Sequence, residues 1–133
     1  MRLHEDYKLY DCKNVPFEIL QGKVIRSIFM GEDVLQFECG DNESFLLVHD
    51  QDCCEDVYIE SVVGDLKNLL NTPIVMAEMV TNSDLPPIDN DDSYTWTFYK
   101  LSTIKGYVTI RWYGASNGYY SEGVDLFQLY PKT

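Results

Sequence analysis

Two stretches near the end of the chain alternate polar with aromatic or β-branched residues: Tyr94-Thr95-Trp96-Thr97-Phe98-Tyr99 and Tyr107-Val108-Thr109-Ile110-Arg111-Trp112-Tyr113. A period of two places alternate side chains on opposite faces of a strand and fits no helix. Lys105-Gly106 lies between the two runs as a turn, so they read as an antiparallel pair. One face would carry Thr95, Thr97 and Tyr99 beside Tyr107, Thr109, Arg111 and Tyr113, continued by Tyr119 and Ser121. The other face, with Trp96, Phe98, Val108, Ile110 and Trp112, suits a core. Tyr and Arg are enriched at binding hot spots, so Tyr99, Tyr107, Arg111, Tyr113 and Tyr119 form a candidate binding face. The plainer reading is a ladder of good strand formers.

The first half repeats the β pattern. Lys23–Phe29, Val34–Cys39 and Ser44–His49 are short strands separated by Gly31-Glu32-Asp33 and Gly40-Asp41-Asn42, which makes a meander. Val57–Val62 and Ile74–Val80 are further strands. Asp65 is placed to cap a short helix, Leu66–Leu70, that stops at Asn71-Thr72-Pro73. Asn82–Asp92, with Pro86-Pro87 and four Asp, reads as a polar loop. The expected fold is one α+β domain over the 133 residues. It is β-rich, with antiparallel meanders of about six to eight strands and one or two short helices. An acidic meander with the helix spans 20–80 and an aromatic meander spans 93–129.

Charge is unevenly spread. The whole chain sums to −12, but from Ser27 to Tyr99 sixteen acids face the single base Lys67, a formal −15, and the remainder is +3. Such a balance argues against direct binding to nucleic acid, which requires Lys and Arg at phosphates, and against anionic membranes. It suits a basic protein partner, whose approach it would steer. The acids expected to face that partner are Glu32, Asp33, Asp41, Glu43, Asp50, Asp52, Glu55, Asp56, Asp89, Asp91 and Asp92. A surface serving solubility alone is the competing reading.

No apolar run approaches the roughly 18 residues that a membrane-spanning helix needs. The N-terminal Met1–Tyr7 carries acids where a signal peptide would be apolar. A cytoplasmic protein with reduced thiols at Cys12, Cys39, Cys53 and Cys54 is expected, since adjacent cysteines bridge only with strain. The segment His49-Asp50-Gln51-Asp52-Cys53-Cys54-Glu55-Asp56 gathers three donor types. It gives a metal-binding alternative at His49, Asp52, Cys53, Cys54 and Glu55, although no second ligand pair follows. A hydrolase using Cys53 or Cys54 with His49 is a third option, opposed by surrounding acids that raise a thiol pKa. No cofactor is expected, and paired carboxylates are too numerous to single out a hydrolytic couple.

Several strings resemble those of a family of small uncharacterised proteins from bacteriophages and bacteria. They are Asp52-Cys53-Cys54-Glu55, Val57-Tyr58-Ile59-Glu60, Gly64-Asp65-Leu66, Thr95-Trp96-Thr97-Phe98-Tyr99-Lys100, Gly106–Trp112 and Ser116–Ser121, within residues 20–127. The resemblance brings no activity and no catalytic residues. It implies an origin on phage or mobile-element genomes. Small acidic phage proteins often inhibit host machinery, as anti-CRISPR proteins and nucleic-acid mimics do. The resulting expectation is a non-enzymatic inhibitor of a host protein with a basic surface, acting in the bacterial cytoplasm.

Overall fold

The computed structural model describes residues 10–40, 42–51, 54–82, 93–116 and 122–131. Nine strands are present among them: β1 (Tyr10–Val15), β2 (Ile25–Met30), β3 (Val34–Cys39), β4 (Ser44–Val48), β5 (Asp56–Val63), β6 (Met76–Asn82), β7 (Ser93–Thr103), β8 (Gly106–Ser116) and β9 (Asp125–Pro131). They form two antiparallel sheets, a first with the order β1-β9-β4-β3-β2 and a second with the order β5-β8-β7-β6. One apolar cluster draws Leu35, Phe37, Phe45, Leu47 and Leu126 from the first sheet and Ala77, Leu101, Val108, Ile110 and Trp112 from the second. The sheets therefore pack face to face as a sandwich, inward residues of each filling one core.

The expected α+β class is corrected to a β architecture. The helices of the described residues are two four-residue 3-10 segments, Phe17–Leu20 and Leu66–Leu69. Asp65 does cap the second, its carboxylate accepting from the Lys67 amide at 2.9 Å. That segment ends within one turn because Asn71 takes a positive φ of 64° and Pro73 follows. Four residues are too few for an α-helix to repay its nucleation. The strand count exceeds the expected range in part because β1 is an edge strand. Its Asp11, Cys12, Lys13 and Asn14 are exposed, so it carries little apolar alternation to read.

The first sheet is apolar on both faces. Leu35, Phe37, Phe45 and Leu47 point into the sandwich, while Val34, Leu46 and Leu129 form a second cluster on the outward face, with Phe29 and Val48 against it. The run Phe45-Leu46-Leu47-Val48 is thus a strand that packs on both sides.

Burial fixes the chemistry of two core groups. Cys39 is pushed up from 9.0 to about 11, first by burial and then by the nearby Glu43 carboxylate, with Lys23 opposing. Tyr99 is raised above the ordinary phenol range by burial and by Asp125. Its hydroxyl donates to the Val124 carbonyl at 2.7 Å, and its ring meets Phe17 at 4.6 Å. Both groups ionise more readily in the unfolded chain. Their contribution to stability is intact below about pH 9 and is lost as pH rises toward the folded values. At pH 8 a maleimide or iodoacetamide reagent is expected to modify exposed Cys12 at least ~10-fold faster than buried Cys39, and equally fast labelling would count against this burial.

Candidate functional site

Strand register decides which acids meet. β3 and β4 pair with Val34 opposite Val48, so the residues just before Val34 and just after Val48 leave the first sheet at the same end. Those residues are Glu32 and Asp33 on one side, and His49 and Asp50 on the other. The Glu32 carbonyl accepts from the Ile59 amide at 2.8 Å, which ties this turn to β5 and the second sheet. Glu32, Asp33, Asp50 and Asp56 are exposed here.

Beneath them lies a buried ion pair. The His49 and Glu55 side chains are 4% and 0% exposed, and His49 Nε2 sits 3.4 Å from Glu55 Oε1. His49 Nδ1 is 2.5 Å from the Gly123 carbonyl oxygen. A carbonyl only accepts, so Nδ1 carries a proton. The contact between Nε2 and the carboxylate is attractive only with a further proton between them, on one group or the other. Gln51 Nε2 donates to the Glu55 backbone carbonyl at 2.7 Å and closes the loop from below. His49 thereby links the end of β4 both to the start of β5 and to the segment that leads into β9.

That segment is itself anchored by a buried acid. Glu122 receives hydroxyl hydrogen bonds from Thr95 at 2.8 Å and from Ser116. Its backbone lies directly on Gly114 of β8, where an added Cβ would come within 2.6 Å of the Glu122 carbonyl oxygen. Nothing in the local sequence distinguishes Glu122 from the surface acids, except that Gly123 and buried Val124 follow it.

A groove of about 620 Å³ opens beside the ion pair. Leu46, Val48, Phe127 and Val57 supply apolar lining and Cys12 flanks them, while Asp33, Asp50, Gln51 and His49 supply the polar part. No Lys or Arg lines it among the described residues. The signal for this groove was the unbroken apolar run in β4, which calls for cover on the outward face as well as the inner one.

The other expected acids divide. Glu43 is half-buried in an ion pair with Lys23 at 2.9 Å and is not a free surface charge. Glu55 is internal and faces His49 rather than a partner, because the chain turns there between the two sheets. Asp41, Asp52, Asp89, Asp91 and Asp92 lie outside the described residues.

The aromatic face is corrected in one strand. β8 has the expected parity: Val108, Ile110 and Trp112 enter the core. β7 has the opposite one. Tyr99 and Leu101 enter the core, and Trp96 lies outward against Tyr113, with ring centroids 4.7 Å apart. Leu101 opposite Val108 sets that register, and the Tyr99 hydroxyl finds its acceptor only on the inner side. On the outward face Arg111 stacks over Trp96 at 4.5 Å and pairs with Glu60 at 2.7 Å, and Tyr58 meets Tyr113 at 5.8 Å. Trp96 and Tyr113 are only 6% and 1% exposed, so these groups are engaged with one another rather than displayed. Tyr107, at 65%, is the one expected aromatic shown here to be open, and Tyr119 lies outside the described residues.

The metal and hydrolase alternatives lose Cys54, which is disulfide-bonded where a thiol was expected. Asp52 and Cys53 lie outside the described residues. No group of three His, Cys, Asp or Glu side chains is placed to hold a metal among those that are described. His49, with Nδ1 on Gly123 and Nε2 facing Glu55, is positioned as a structural clasp.

Residues 18–126 match the model of one protein family, a domain of unknown function designated DUF7448. No curated protein and no solved structure matches the chain. No helix among the described residues is long and apolar enough to cross a membrane.

Proposed function

The chain belongs to the DUF7448 family, and on that premise we propose that it is a non-enzymatic binding protein that docks a basic protein surface at the acidic end of the sandwich. The observation that carries this reading is the convergence of exposed Glu32 and Asp33 from the turn between β2 and β3 with exposed Asp50 and Asp56 from the connection between β4 and the start of β5, onto one end. The partner class is a nucleic-acid-handling host protein, such as a defence nuclease, whose basic cleft would accept carboxylates in place of phosphates. Inhibition follows from occupying that cleft. Steering by the net charge of −12 would make capture fast at low salt and weak at high salt.

The test is capture from bacterial lysate, comparing the native chain with a quadruple variant, Glu32→Lys, Asp33→Lys, Asp50→Lys and Asp56→Lys, of matched melting temperature. The expected result is recovery of a nucleic-acid-binding protein by the native chain, competed by added DNA or RNA and reduced at least ~10-fold by the variant. Equal recovery by both proteins, or capture indifferent to salt, would overturn the reading.

A further inference from the structure

We infer that the groove over the outward face of the first sheet seats two or three residues of an extended, basic segment of the partner, with an apolar side chain on its floor. This rests on the proposed binding reading and deepens it by naming what the acidic end receives. At about 620 Å³ the groove matches the size of ordinary peptide and small-ligand pockets. It is too large for one side chain and suits two or three residues. Leu46, Val48 and Phe127 offer an apolar floor continuous with the outward cluster of Val34 and Leu129. Asp33 and Asp50 stand at its rim with no described cation among the lining, so an occupant carrying Lys or Arg next to its apolar anchor satisfies both parts. A purely apolar ligand would leave the two carboxylates without a counter-charge. A folded basic surface would leave the floor uncovered.

An extended chain satisfies both parts at once: one residue lays its apolar side chain on Leu46, Val48 and Phe127 while its neighbour turns a Lys or Arg toward Asp33 and Asp50, since successive side chains of extended backbone point opposite ways.

The test is selection of a displayed random peptide library against the full chain, followed by affinity measurement on the enriched peptides. Enrichment of Lys or Arg adjacent to Leu, Ile, Phe or Trp is expected. Val48→Trp, which fills the groove, and Phe127→Ala, which removes part of its floor, are each expected to weaken those peptides at least ~10-fold, as is Asp33→Lys with Asp50→Lys. Val63→Trp, on the exposed part of the second sheet, is expected to leave binding unchanged. Loss of lysate capture in the rim variants, with full binding retained by both Val48→Trp and Phe127→Ala, would overturn the groove inference and leave the acidic-end reading standing. Binding indifferent to rim and floor alike would overturn both. A library that yields no enriched basic-apolar motif would also overturn the groove inference, whatever the lysate capture shows.

Discussion

Glu55→Ala is expected to lower the unfolding free energy by about 3–5 kcal/mol, the range for removing one partner of a buried ion pair. Both side chains are almost fully enclosed, so water cannot take the place of a lost partner. The loss has two sources. The imidazole is left facing an empty carboxylate position, and the link from β4 to the start of β5 is cut. Glu55→Gln retains the shape and isolates the charge. The pair of substitutions His49→Leu and Glu55→Leu together is expected to recover a large part of the deficit, because matched apolar groups in place of a buried ion pair are often neutral. Urea denaturation at pH 7 of His49→Leu, Glu55→Leu and the double variant measures the coupling directly. A coupling below about 0.5 kcal/mol would mean that the two groups are enclosed but independent.

That pair also shows how far the sequence could be read. His49 and Glu55 were legible as two donors of one candidate metal segment. Their role was not, because it depends on Gly123, which lies 74 residues beyond His49 and reaches it only through the pairing of β4 with β9. The strands themselves were largely legible. β3, β4, β5 and β8 sit within a residue or a few of their expected bounds, since each has alternation or an apolar run strong enough to decide the matter. β7 was located correctly and faced wrongly. In Thr95-Trp96-Thr97-Phe98-Tyr99 the larger apolar residues argue for one inward set, and the local pattern contains no reason to prefer the other. The decision comes from Leu101, two positions beyond Tyr99, which continues the inward set opposite Val108. The full eleven residues of β7 carry that reason, whereas Thr95 to Tyr99 alone do not. The acids were legible as a charge excess but not as individuals. Whether a carboxylate is surface, paired or internal depends on contacts such as Lys23 with Glu43 and Arg111 with Glu60, which join residues 20 and 51 positions apart.

The buried end of the site depends on a glycine. An alanine Cβ at position 114 would lie 2.6 Å from the Glu122 carbonyl oxygen, 3.0 Å from the Glu122 Cβ and 3.3 Å from a methyl of Val57. The first of these is backbone, which has no rotamer to move aside. The segment cannot simply lift, because Thr95 and Ser116 hold the Glu122 carboxylate, Gly123 receives His49 and Val124 receives Tyr99. Gly114→Ala is therefore expected to cost about 2–3 kcal/mol and Gly114→Val more, through overpacking that must displace this segment or β8. Gly40→Ala is the control. Its nearest neighbour would be a flexible Arg26 side-chain atom at 3.9 Å, and the change should lie within about 0.5 kcal/mol of neutral. The distinguishing measurement is a chemical shift of the His49 imidazole in the folded Gly114→Ala protein. Displacement of residues 122–124 must change the Gly123 contact, so a destabilised variant with an unchanged His49 resonance would show that the strain is taken up in β8 and leaves the clasp intact.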